Sequence, residues 1–257
     1  MRSPSRFWRY TALAVIVGNV AFNYANDHLG LGGRSMAEVT ARYPNYFTPA
    51  GYAFSIWGVI YLAFIVYAAA ALTRSQRAIP FHDGVAPTLA LANVLASAWV
   101  LAYRFERLPV TVALLGATLA CAAVMFVRAA RAVALEGVAR RWAIPFSLFL
   151  GWVSVALIAN VTILLVSLGW QGGAIAPTTW AVALLGVAAL LGATLAVRFA
   201  NAAVPLVVAW AAIAIAVKQS GASPLVANAA LLAAALSGVA AGVGWWRSQH
   251  HLTHAAT

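Results

Sequence analysis

Residues 43–67 read YPNYFTPAGYAFSIWGVIYLAFIVY, and the fold turns on how this stretch is understood. Past Pro49 the chain carries no charge until Arg74. A bilayer core needs about 20 apolar residues in a helix, so the stretch predicts a spanning helix over 51–73. At 100° per residue, Phe54, Trp57, Tyr61 and Phe64 share an arc of about 80°, with Gly51, Ser55, Gly58 and Leu62 about 110° away. The second arc is a small-xxx-small surface of the kind that admits another helix backbone. The first is either bulky packing or the wall of a pocket for a flat apolar ligand.

The rest of the chain has the same texture. Of 257 residues, 64% are hydrophobic and 8% charged, with mean hydropathy +0.88. Soluble domains carry about 25% charged residues, so the sequence predicts an all-α integral membrane protein. Apolar runs predict eight transmembrane helices at 7–25, 51–73, 86–103, 108–127, 143–168, 178–197, 200–217 and 224–246. Aromatic residues thin out between Trp180 and Trp245. The expected organisation is a five-helix bundle over 1–170, a three-helix extension over 171–247 and a flexible tail over 248–257. The joint 26–50 is long enough to act as a lid. Residues 1–25 fit a first spanning helix better than a cleaved secretory signal.

A net charge of +11 invites a nucleic-acid reading, but the basic residues sit at span ends. With the N-terminus inside, Arg2, Arg6, Arg9, Arg74, Arg77, Arg128, Arg131, Arg140, Arg141, Arg198 and Arg247 share the cytoplasmic side. Arg34, Arg42, Arg104, Arg107 and Lys218 are left on the other. The positive-inside rule then puts both termini in the cytoplasm. Membrane lipids, not nucleic acid, are the expected charged partners. Cys121 is the single cysteine, and it reads as a small buried hydrophobe.

Asp27, Glu38, Asp83, Glu106 and Glu136 all fall in joints or at span ends. Ion and proton pathways ordinarily place such groups at mid-membrane, which argues against an ion-coupled pump. No Walker, H-E-x-x-H or G-x-S-x-G pattern occurs, so no catalytic residue and no metal site is assigned. The tail histidines His250, His251 and His254 read as solvated. Within the spans the polar residues are Asn19, Asn23, Asn93, Asn160 and Asn228. An amide in lipid needs a partner, from another helix or from a ligand. Trp8, Trp142, Trp170, Trp180, Trp245 and Trp246 lie near span ends, where an interfacial belt accounts for them. Trp57, Trp99, Trp152 and Trp210 lie deeper.

PAGYAFSIWGVIY (49–61) and WVSVALIAN (152–160) together resemble the second and fifth helices of the tryptophan-rich sensory protein family, which includes the translocator protein (TspO/MBR). Phe54 stands one residue closer to Trp57 than the family pattern has it, Val155 replaces a Phe, and Pro145 lies further upstream. Asn93 and Trp99 are six apart, where the family pairs Asn and Trp one turn apart. The resemblance covers 1–170 and implies a longer TspO-like member with extra C-terminal helices. It also implies a cavity between helices closed by the first loop, and often a homodimer. Ligands of the family are tetrapyrroles such as protoporphyrin and haem, and sterol-like molecules; no cofactor is required, and a bound porphyrin or haem is the expected occupant.

The expected ligand-binding set is Phe54, Trp57, Tyr61, Asn93, Trp99, Trp152 and Asn160, with Arg34 or Arg42 meeting a propionate. The favoured function is binding of a flat hydrophobic ligand in sensing or transport, the role of a receptor or carrier in a bacterial cytoplasmic membrane and not that of an enzyme. The alternatives are a transporter of an uncharged or lipidic solute, and a light-dependent porphyrin-degrading enzyme using Trp57 and Trp152.

Overall fold

A computed structural model of the chain describes residues 6–30 and 34–253. All long elements are helices: α1 (Phe7–Leu29), α3 (Ile56–Ala71), α4 (Pro80–Arg104), α5 (Leu108–Leu135), α6 (Ile144–Ser167), α7 (Pro177–Phe199), α8 (Ala203–Gln219) and α9 (Pro224–Thr253). A short α2 (Met36–Ala41) lies between the first two. Each apolar run is therefore a helix. Six of the segments are both long and apolar enough to cross a membrane, so eight spanning helices is more than these criteria support. The shortfall is α8, which reaches only 17 residues, and α1. Asn19, Asn23, Asn26, Asp27 and His28 crowd the second half of α1.

Compact packing divides the chain differently from a boundary at 170. One unit comprises residues 1–39 and 56–153, the other 40–55 and 154–257. The division passes through α6 and the entry to α3. The tail is helical through Thr253, with the 254–257 portion, including His254, outside the described residues.

In the first unit, α1 packs on α3 and α4, and α4 on α5. Arg9 of α1 is 3% exposed, so it is a buried structural group. Its Nε and Nη2 donate to the two carboxylate oxygens of Asp83, each at 2.6 Å. Nη1 donates to the carbonyls of Ala71 and Gln76, and Nη2 to those of Arg77 and Ile79. One guanidinium thus caps the end of α3 and shapes the joint leading to α4.

α2 begins with a capping box. The Ser35 N–H donates to Glu38 Oε2 at 2.6 Å, and the Glu38 N–H donates to Ser35 Oγ at 3.1 Å. The backbone N–H of Ser35, and then its side chain, hold the Glu38 carboxyl below its ordinary value of 4.5. A lowered folded-state pKa gives stabilisation that is complete above the ordinary value and lost as pH falls through the lowered one. An NMR titration should find the Glu38 midpoint below 4.5, with the α2 amide shifts collapsing in step. Ser35→Ala, which keeps the backbone N–H and loses the hydroxyl, should return the midpoint part of the way toward the ordinary value; an unchanged midpoint would remove the Ser35 hydroxyl as a contributor.

In the second unit, α7, α8 and α9 pack through small residues. Ala188, Gly192 and Ala196 of α7, Ala211 and Ala212 of α8, and Ala230 and Ala240 of α9 are all buried. Lipid offers no hydrophobic drive between helices, so close backbone approach must supply the contact. The helix pair α7–α8 is split at Ala200, which adopts a left-handed conformation at φ 48°. Asn201 Oδ1 then accepts from the Val204 N–H at 3.0 Å.

Residues 51–55 form a 3-10 turn and not the start of α3. The Ala50 N–H donates to the Ala214 carbonyl, and the Trp210 indole N–H to the Ala53 carbonyl, each at 3.1 Å. These bonds to α8 hold the entry in the tighter form. The small-residue arc also departs from expectation. Gly51, Ser55, Gly58 and Leu62 are exposed, and a side-chain carbon at Gly51 or Gly58 would meet no atom within 4 Å. No other backbone among the described residues is clamped against that face.

Candidate functional site

The aromatic arc of α3 meets a matching set on α6. Phe64 packs on Phe149 at 5.2 Å between ring centroids and on Phe146 at 6.0 Å. Trp57 contacts Phe149 at 6.2 Å and Trp152 at 6.4 Å, both edge to face. Phe64, Phe146, Phe149 and Trp152 are wholly buried. Aromatic edge-to-face pairs contribute about 0.5–1.5 kcal/mol beyond the area they bury. Most of the arc is therefore a packing zipper, and Trp57 and Trp152 touch directly with no gap for a ring between them.

The end of the zipper is different. Trp57 and Tyr61 stack on each other at 5.4 Å with 25° between ring planes, and both are only half-buried. Beside them runs an amide column. Asn19 Nδ2 donates to Asn93 Oδ1 at 2.9 Å, and Ser97 Oγ donates to Asn19 Oδ1 at 2.7 Å. Asn23 Nδ2 donates to Asn19 Oδ1 at 2.7 Å and to the Tyr61 hydroxyl oxygen at 3.3 Å. The Tyr61 hydroxyl thus joins the amide column, with Asn19 as well as Asn23 beside it. One turn along α1, Asn26 is 0% exposed, and neither of its amide atoms has a hydrogen-bond partner among the described residues. Such a group costs about 1–3 kcal/mol unless something satisfies it.

Of the expected residues, the first unit holds Trp57, Tyr61, Asn93, Trp99 and Trp152. Asn93 bonds between and within helices, its Oδ1 accepting from Asn19 of α1 and its Nδ2 donating to the Leu89 carbonyl of its own helix, each at 2.9 Å. Trp99 is buried against Tyr103 at 5.5 Å. Phe54 and Asn160 belong to the second unit, Phe54 half-buried on the 3-10 turn and Asn160 buried in α6. Arg34 is engaged by Glu106 at 2.7 Å. Asn19 and Asn23 take a larger part than the helix-bonding role their spacing suggested, and Asn26 falls beyond the predicted first span.

The second unit contains a cavity of about 720 Å³. Its walls are the later turns of α6 (Leu157, Val161, Leu165), the first turns of α7 (Trp180, Leu184) and residues 44–47. Trp170 and Trp180 pack at 5.4 Å, and the Trp180 indole N–H donates to the Gly172 carbonyl at 3.0 Å. Sequence reading placed both in the interfacial belt. Their nearness to the glycine-rich joint 169–173 was the one available signal.

Among the described residues these features define an all-helical integral membrane protein. Residues 9–243 match the TSPO-like protein family, and the chain belongs to it. The matched region includes α7, α8 and α9 as far as Val243. No curated protein and no solved structure gave a match.

Proposed function

We propose that the protein binds a flat, hydrophobic ligand of the tetrapyrrole class inside the membrane, in sensing or transport. The observation that carries this reading is the half-buried Trp57–Tyr61 stack. It is a flat aromatic surface held rigid by the zipper behind it and edged by a hydroxyl and amides. Apolar walls with a few placed polar groups are what small-molecule sites require. A macrocycle would lie on the outer face of the stack, with the Tyr61 hydroxyl at its polar edge. Trp152 then supports Trp57 from behind.

Titrating protoporphyrin IX into the detergent-solubilised protein should quench tryptophan fluorescence saturably. Trp57→Ala should weaken the apparent affinity about tenfold or more, as loss of a base-sized stacking partner costs about 1–3 kcal/mol. Tyr61→Phe should give a smaller loss, about fivefold for one hydrogen bond. Absence of saturable quenching in the wild type would defeat the proposal, as would equal affinity in Trp57→Ala. Illuminating the complex while following porphyrin absorbance separates binding from light-dependent degradation.

A further inference from the structure

We infer that the cavity of the second unit is a separate binding site for an uncharged, long-chain amphiphile with a hydroxyl or carbonyl head. The volume of about 720 Å³ lies inside the range of about 300–1,000 Å³ typical of ligand sites. None of its lining residues is an Asp, Glu, Lys, Arg or His. A charged head, or the propionates of a tetrapyrrole, would lose water there and gain no counter-charge. The walls supplied by Leu157, Val161, Leu165 and Leu184 suit a hydrocarbon chain.

The rim supplies the head-group chemistry. Tyr46, Trp170 and Gln171, which carry a hydroxyl, an indole N–H and a side-chain amide, all border the cavity. None of these three side-chain groups has a hydrogen-bond partner among the described residues. Together they offer donors and an acceptor to a hydroxyl or carbonyl, and no charge.

Both sides of the rim are fixed before any ligand arrives. Asn45 Oδ1 accepts from the N–H groups of Phe47 and Thr48 and from the Thr48 hydroxyl at 2.8–3.0 Å. Gln219 Nε2 donates to the Tyr46 carbonyl at 3.2 Å. Opposite, Gly172 sits at φ +98°, and any side-chain carbon there would lie 2.2 Å from the Ile175 carbonyl oxygen. The turn that presents Trp170 and Gln171 is thus restricted to glycine at that point. A rim fixed in advance reduces the ordering cost of binding. The residues belong wholly to the second unit, so this site stands or falls independently of the Trp57–Tyr61 surface.

The test is photolabelling of the full chain in nanodiscs with hexadecanol carrying a mid-chain diazirine, followed by peptide mapping. Adducts should concentrate on 157–184 and be competed by unlabelled hexadecanol, but not by hexadecyl sulfate or hexadecyltrimethylammonium. Val161 is 37% exposed, so Val161→Trp should fold while filling the cavity, reducing specific labelling about tenfold. Trp170→Phe, which removes only the indole donor, should weaken competition by hexadecanol about fivefold. Labelling that follows helix exposure throughout the chain would overturn the assignment. So would labelling unaffected by both substitutions, effective competition by either charged analogue, or saturable labelling of the same peptides by a diazirine phosphatidylcholine.

Discussion

Replacing Arg9 with Met should destabilise the protein by about 3 kcal/mol, the lower end of the cost of breaking a buried ion pair. The lower end applies because Asp83 keeps 23% of its side-chain surface exposed and so recovers part of its hydration. The loss reaches beyond one pair. Four backbone carbonyls, those of Ala71, Gln76, Arg77 and Ile79, lose their guanidinium donors together. Arg9→Lys should restore little, because an ammonium cannot form the planar two-point contact with Asp83 while reaching the carbonyls. Arg9→Met with Asp83→Leu should recover part of the loss, since no charge is then stranded. Thermal unfolding in detergent, followed by circular dichroism, measures all three. An Arg9→Met protein as stable as wild type would show that the clamp is not a principal support of the first unit.

Gly244→Ala should cost about 1–3 kcal/mol, the range for overpacking in a rigid core. A side-chain carbon at Gly244 would lie 2.5 Å from the Asn201 carbonyl oxygen and 2.8 Å from its carbon. Those atoms are backbone of the α7–α8 joint, held by the left-handed Ala200 and the Asn201 cap, and cannot swing aside as a side chain would. Gly242, two residues earlier on α9, has nothing within 4 Å of the same position. Gly242→Ala should therefore be neutral or stabilising by up to about 1 kcal/mol through helix propensity. Comparable unfolding of the two variants would contradict the close approach of α9 to that joint.

The helices were legible because a spanning run records its length and apolarity locally. Even the brief interruption at Arg198 and Phe199 marked the true division between α7 and α8. The α3 aromatic spacing likewise announced a helix face. What it could not announce was the partner: Phe146, Phe149 and Trp152 turn most of that face into packing, leaving only Trp57 and Tyr61 half-open. Arg9 was read as a topology signal because a charge at a span end looks the same in sequence whether solvated or enclosed. The 3-10 entry was hidden since the groups that hold it, Ala214 and Trp210, lie far along the chain. The cavity is hidden for the same reason, being assembled from residues 44–47, 157–172 and 177–184.

The account stands most directly on where a flat ligand rests. A structure of the protein with bound protoporphyrin IX should show the macrocycle on the exposed face of Trp57 and Tyr61, its polar edge toward the Tyr61 hydroxyl. A macrocycle seated in the α6–α7 cavity, or bound away from both tryptophan sites, would contradict it.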